Sequence, residues 1–184
     1  MTTPTTSHTT TQAPTGGSRL LRILKHRWLD ESDTRRALGP EALARIEARV
    51  RASESRHHGE IRVCVEAGLP LSYLWQRLSA RDRALTMFGK LRVWDTEGNN
   101  GVLIYLLLAE RAIEVVADRG LAQQVPPEHW QQIVAGMREA FRGGRFEEGL
   151  MRAVDAVDEQ LARHFASDGS ALNPNELPDA PYLR

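Results

Sequence analysis

Six oxygen-bearing side chains, Glu60, Asp95, Glu97, Asn99, Asn100 and Asp118, stand at the ends of apolar runs in this sequence. Carboxylates and amides without imidazole or thiolate suit a hard cation such as Ca²⁺ or Mg²⁺. A purely structural reading stands beside this one. Asn99-Asn100-Gly101 is also what a turn entering a strand requires, because Asn and Gly tolerate φ > 0, and Asp118-Arg119-Gly120 also reads as a surface turn with an ion pair.

The elements that would gather these residues are legible. Val102 to Leu108 is a continuous aliphatic run, as expected of a strand buried on both faces. Ala109-Glu110-Arg111 is too short a link for anything but a hairpin into a second strand, Ala112 to Val116. Antiparallel pairing puts Asn99-Asn100-Gly101 beside Asp118-Arg119-Gly120. Ile61 to Val65 alternates as another strand. Joined to Val102–Leu108 by a right-handed crossover through a helix over Pro70–Lys90, it runs parallel to it. Glu60 and Asn100 then share an edge with Asp118.

The crossover helix should break near Ser79 and turn Leu74, Trp75, Leu78, Leu85 and Phe88 to the core. Pro126-Pro127 opens an amphipathic helix with Trp130, Ile133, Val134, Met137, Ala140 and Phe141 on one stripe, stopped by Gly143-Gly144. A last helix, Phe146 to Phe165, carries Leu150, Val154, Val157 and Leu161. Near the start, Ser18 caps a short helix reaching Leu29, with an apolar stripe of Leu20, Leu21, Leu24 and Trp28 and a basic remainder. A second helix begins near Pro40, with Leu43, Ile46 and Val50 facing inward. The order is that of an α/β fold, a small mixed sheet with helices on its faces.

A chain of 184 residues supports one well-buried core. Residues 1–17 and 167–184 read as disordered ends, and 18–52 as a helical extension ahead of the domain at 53–166. Lys plus Arg and Asp plus Glu balance at 24 each, so no overall field selects nucleic acid. Cys64 is the single cysteine, read as a small buried residue. Trp94 is read as a core anchor. The His57-His58 pair sits at a helix end, and His129 lacks a partner for general-base work. No phosphate loop, dinucleotide fingerprint, HExxH or GxSxG is present. The longest apolar run is far short of the ~20 residues a spanning helix needs, and the N-terminus has no apolar core of a secretory signal. The expected location is the cytoplasm. The basic helix is expected to dock on the domain or on a partner, arginines outward, rather than on a membrane surface, for which residues 18–29 supply the alternative.

GEIRVCVE (Gly59 to Glu66), VWDTEGNNGVLIYLLLAERAIEVVADRGL (Val93 to Leu121) and FRGGRFEEGLMRAVDAV (Phe141 to Val157) together resemble the TPM domain family over roughly Ser53 to Phe165. That family includes a thylakoid-lumen protein of photosystem II repair and many bacterial proteins; the Trp-Asp-Thr-Glu and Asp-Arg-Gly versions resemble a bacterial cytosolic subgroup. The resemblance implies an α/β/α sandwich, binding of Ca²⁺ or another divalent ion as in some members, and acid phosphatase activity as described for others. In a metal-dependent phosphatase, the alternative function, Asp118 and Glu60 would hold the cation, Arg119 would neutralise phosphate and the helix starting at Pro127 would offer backbone N–H groups. This chain departs from the family pattern. Asp118-Arg119-Gly120-Leu121-Ala122 replaces Gly-Tyr-Gly-Leu-Glu, and Asn99-Asn100-Gly101 replaces Asp-Asn-Gly. Two family acids are thus missing, with Asp95, Glu97 and Asp118 available in compensation. An oxygen-rich edge without a recognisable nucleophile and base leads to the expectation of a non-catalytic module acting through a protein partner.

Overall fold

The computed structural model describes residues 16–167 and 175–184. The chain forms α1 (Gly16–Arg27), α2 (Glu31–Ala37), α3 (Pro40–Glu54), β1 (Ile61–Glu66), α4 (Leu71–Trp75), α5 (Ala80–Lys90) and β2 (Val102–Leu107). A 3₁₀ turn at Leu108–Glu110 leads to β3 (Ala112–Ala117), α6 (Arg119–Ala122), α7 (Pro127–Arg142), α8 (Phe146–His164) and β4 (Tyr182–Leu183). The four strands lie in the order β3-β2-β1-β4. As expected, β1 and β2 are parallel and β2 and β3 antiparallel, with Ile61, Val102 and Ala117 in one row.

Alternation along the strands divides the core in two. Ile61, Val63, Val65, Val102, Ile104, Leu106, Ile113 and Val115 pack under α3, α7 and α8. Cys64, Leu103, Tyr105, Leu107 and Val116 pack under α4, α5 and the inner side of α1. This is a mixed sheet with helices on both faces. Cys64 is fully buried, and burial pushes its thiol pKa well up, as suits a packing residue.

Several expectations give way. Seven residues between Trp28 and Gly39 form α2, capped reciprocally by Asp30 and Asp33. Ser18 lies inside α1 rather than capping it. The helix α3, assigned in part to an extension, lines the core through Ala42, Ile46 and Val50. It is also tied to α8 by Arg45–Glu147, Arg49–Asp155 and Arg49–Asp158 pairs. The break at Ser79 is present, with Ser79 capping α5. That start turns Ala80, Arg83, Ala84 and Met87 inward, so Leu85 faces solvent; Trp75, at the end of α4, is exposed as well. Trp94 is exposed and its neighbour Val93 is the buried anchor. Of the tail read as disordered, 168–174 lies outside the described residues, as do residues 1–15. Residues 175–184, however, cross the sheet end and add β4 in parallel to β1.

Helix α1 docks on the domain, but by the opposite side from the one expected. Arg22 donates to Glu110 at 2.8 Å and to the Leu78 carbonyl. The Leu69 N–H donates to His26 Nδ1 at 2.9 Å, which assigns the ring proton to Nε2, 3.1 Å from Glu110. Leu20, Leu21, Leu24 and Trp28 are left 53–84% exposed. The polar partners at Leu69, Leu78 and Glu110 select the Arg22–His26 face, and only Ile23 joins it from the apolar residues.

Candidate functional site

The register carried one residue past the strands sets Glu60, Gly101 and Asp118 in a row. Val102 N–H donates to the Glu60 carbonyl and Asp118 N–H to the Gly101 carbonyl, each at 2.8 Å. Row neighbours start out on one face, so two acids flank a position with no side chain. A Cβ at Gly101 would fall on the Val93 carbonyl oxygen, so that backbone oxygen lies over the gap. Asn99, at φ 49°, turns the chain into β2 and accepts the Gly120 N–H at 2.9 Å. Asn100 is anchored by its Nδ2 donating to the His58 carbonyl at 2.9 Å.

Three buried oxygens here find no hydrogen-bond partner among the described residues: Glu60 Oε1, Asn100 Oδ1 and Asp118 Oδ2. Each residue's other polar atom is used. Glu60 Oε2 accepts from Leu177 N–H, and Asp118 Oδ1 accepts from Arg119 N–H at the start of α6. Buried acceptors without donors are costly, at about 1–3 kcal/mol apiece and more when charged. A bound cation would offset that cost.

The remaining expected ligands do not join them. Asp95 is exposed and paired with Arg92 at 2.7 Å. Glu97 is exposed, and its N–H donates to Glu176. Asn99 contributes its carbonyl to the backbone of the loop. No group of three or more His, Cys, Asp or Glu side chains stands together in metal-holding geometry among the described residues. Of the six expected residues, Glu60, Asn100 and Asp118 carry the buried oxygens without a partner, and beside them stands the Val93 carbonyl over Gly101. The last was hidden from sequence reasoning, because nothing in Val93 itself advertises a close pass over Gly101.

The C-terminal segment was also missed, and it closes this end of the sheet. Leu177 N–H meets Glu60, Glu176 accepts from Glu97 N–H, and Arg62 donates to the Pro178 and Ala180 carbonyls. The segment adds acid as well. Burial, then Glu60 and Asp179, pushes the Glu54 carboxyl up to about 8. Glu60 is also raised, chiefly by burial. An acid with a raised folded pKa stabilises the fold while protonated. That contribution is complete below the unfolded value near 4.5 and is lost as pH climbs through about 8. Urea unfolding should accordingly show stability falling by roughly 1–3 kcal/mol between pH 5 and 8.5. Glu54→Gln should flatten that slope; an unchanged slope would assign it to other groups.

Next to Asp118 a cleft of about 320 Å³ is lined by Gly98, Asn99, Arg119, Gly120 and Gln123. Gly120 permits the close approach, since a Cβ there would sit 2.5 Å from the Asn99 carbonyl oxygen.

A family model, the TPM domain, matches residues 32–160. The match begins at α2, ahead of the resemblance read from Ser53. The NMR structure of the BA42 protein from the psychrophilic bacterium Bizionia argentinensis is 26% identical, with a TM-score of 0.67, covering 79% of this chain and 94% of that one. The solution NMR structure of the N-terminal domain of a P. gingivalis protein is also 26% identical, with a TM-score of 0.53, covering 64% of this chain and 74% of that one. Among curated proteins, none matches the chain.

Proposed function

Because the chain belongs to the TPM domain family, we propose that it is a non-catalytic module holding one hard divalent cation, Ca²⁺ or Mg²⁺, at the end of its sheet and acting through a protein partner. The observation that carries this reading is the set of donor-less buried oxygens on Glu60, Asn100 and Asp118. Their chemistry fits an oxygen-coordinated ion. Glu60 and Asp118 supply the negative charge, Asn100 a neutral oxygen, and the Val93 carbonyl a backbone one. When bound, the ion would neutralise the Glu60 carboxylate that burial penalises, at loops already joined by the Asp118 and Gly120 N–H groups. The metal-dependent phosphatase reading has less support. The cleft beside Arg119 is lined by glycines and amides, which add no nucleophile or general base.

Amide NMR during Ca²⁺ or Mg²⁺ titration tests the proposal. Asn99, Asn100, Gly101 and Asp118 should shift first, and affinity should rise with pH because protons compete for Glu60. Glu60→Gln and Asp118→Asn should each weaken binding by about tenfold or more. Asn at 118 keeps an oxygen to cap Arg119 N–H, so the local fold survives. Silence of these amides at millimolar metal would remove the cation from the proposal.

A further inference from the structure

We propose that α1 is a docking helix for anionic membrane surfaces. It is already fixed to the domain by Arg22, Ile23 and His26, so its outward face is not waiting for the core. On that face Leu20, Leu24 and Trp28 recur every fourth residue, Leu21 lies beside them, and all are exposed. At about 100° per residue, Lys25 and Arg27 fall on opposite rims of this stripe. Both are exposed, and neither has an ion pair among the described residues.

A Leu/Trp face with cations on both rims is the arrangement that settles at the boundary between lipid headgroups and acyl chains. The helix has 12 residues, about 18 Å, and so lies in the plane of a bilayer rather than crossing it.

Charge selects this occupant over a second copy of the chain. Gly16–Arg27 contains no acid, although the protein as a whole is neutral. Two α1 stripes facing each other would bring cation against cation. The acids that follow are engaged locally, Asp30 capping α2 at the Ser32 N–H, Glu31 paired with Arg35 and Asp33 with Arg36. An anionic surface meets both features of the face at once.

Sedimentation of the full chain with vesicles, in EDTA so that the cation site plays no part, tests this directly. Phosphatidylcholine–phosphatidylglycerol vesicles should bind at least about tenfold more tightly than phosphatidylcholine alone. The Lys25→Glu/Arg27→Glu variant should lose about tenfold or more, and Leu24→Asp/Trp28→Glu should abolish binding with the melting temperature unchanged, since these side chains are exposed. Absence of binding to anionic vesicles, or binding indifferent to both variants, would overturn the proposal. So would a wild-type dimer that Leu24→Asp/Trp28→Glu dissociates without any vesicle binding, a result that assigns the face to a second copy.

Discussion

Replacing Arg83 by methionine should lower stability by about 3–5 kcal/mol. Its guanidinium grips Glu66 with both arms, Nε to Oε2 at 2.7 Å and Nη2 to Oε1 at 2.6 Å, and both side chains are 1% exposed. Tyr105 also donates to Glu66 at 2.8 Å, and the Tyr73 ring stacks 5.1 Å from the guanidinium. Burial and the Glu66 charge push the Tyr105 phenol pKa far up, so it remains a donor at every working pH. Without Arg83, Glu66 keeps Tyr105 and the half-exposed Arg184 at 3.9 Å, too little for a carboxylate in that interior. Most of the loss is the penalty of a stranded charge. The double variant Glu66→Met/Arg83→Met should therefore recover a large part of it in urea unfolding. A single-variant loss below about 1 kcal/mol would mean that water reaches Glu66 in solution.

Arg83 also shows where sequence reading stops. The apolar run of β2 and the three-residue link to β3 declare a hairpin, and the hairpin alone brings Asn99–Gly101 beside Asp118. The crossover length then declares a parallel β1, which adds Glu60. Those inferences rest on period and connection length, and the structure has both. A buried arginine carries no such signal. The inward set expected of this helix, with Leu85 and Phe88, omits Arg83, and the Glu66 carboxylate, 17 residues earlier on the facing strand, favours the rotation that buries it. The same logic turns α1 over, because Glu110 and the Leu69 N–H attract Arg22 and His26 while the leucines stay outside. β4 has two residues, too few for any periodicity, and its place follows from the Arg62 and Glu60 bonds to the segment before it. Asp95 and Glu97 stand apart from the buried acids for a related reason. Spacing placed them near the edge, but the turn that buries Val93 leaves both in solvent.

Gly101→Ala should cost about 3 kcal/mol or more and abolish any cation response, whereas Gly89→Ala should gain about 0.5–1 kcal/mol. The two glycines receive the same methyl group in opposite surroundings. Gly89 lies in α5 with nothing within 4 Å of a Cβ, so alanine there only reduces the freedom of the unfolded chain and favours the helix. At Gly101 the methyl would overlap the Val93 carbonyl oxygen and also meet Val93 Cγ1 at 3.1 Å. Val93 has no room to retreat. It is fully buried, and its N–H is held by the Phe88 carbonyl at 3.0 Å. The strain must then pass into β2, which is bonded on both sides at this point, to Glu60 and to Asp118. Displacing either partner spreads the row of Glu60, Gly101 and Asp118 on which the proposed cation site rests. Thermal unfolding of the two variants, with and without Ca²⁺, measures both effects. Equal melting temperatures for Gly101→Ala and the wild type would show that the Val93 carbonyl does not lie over Gly101 in solution, and the oxygen set proposed for the cation would lose its backbone member.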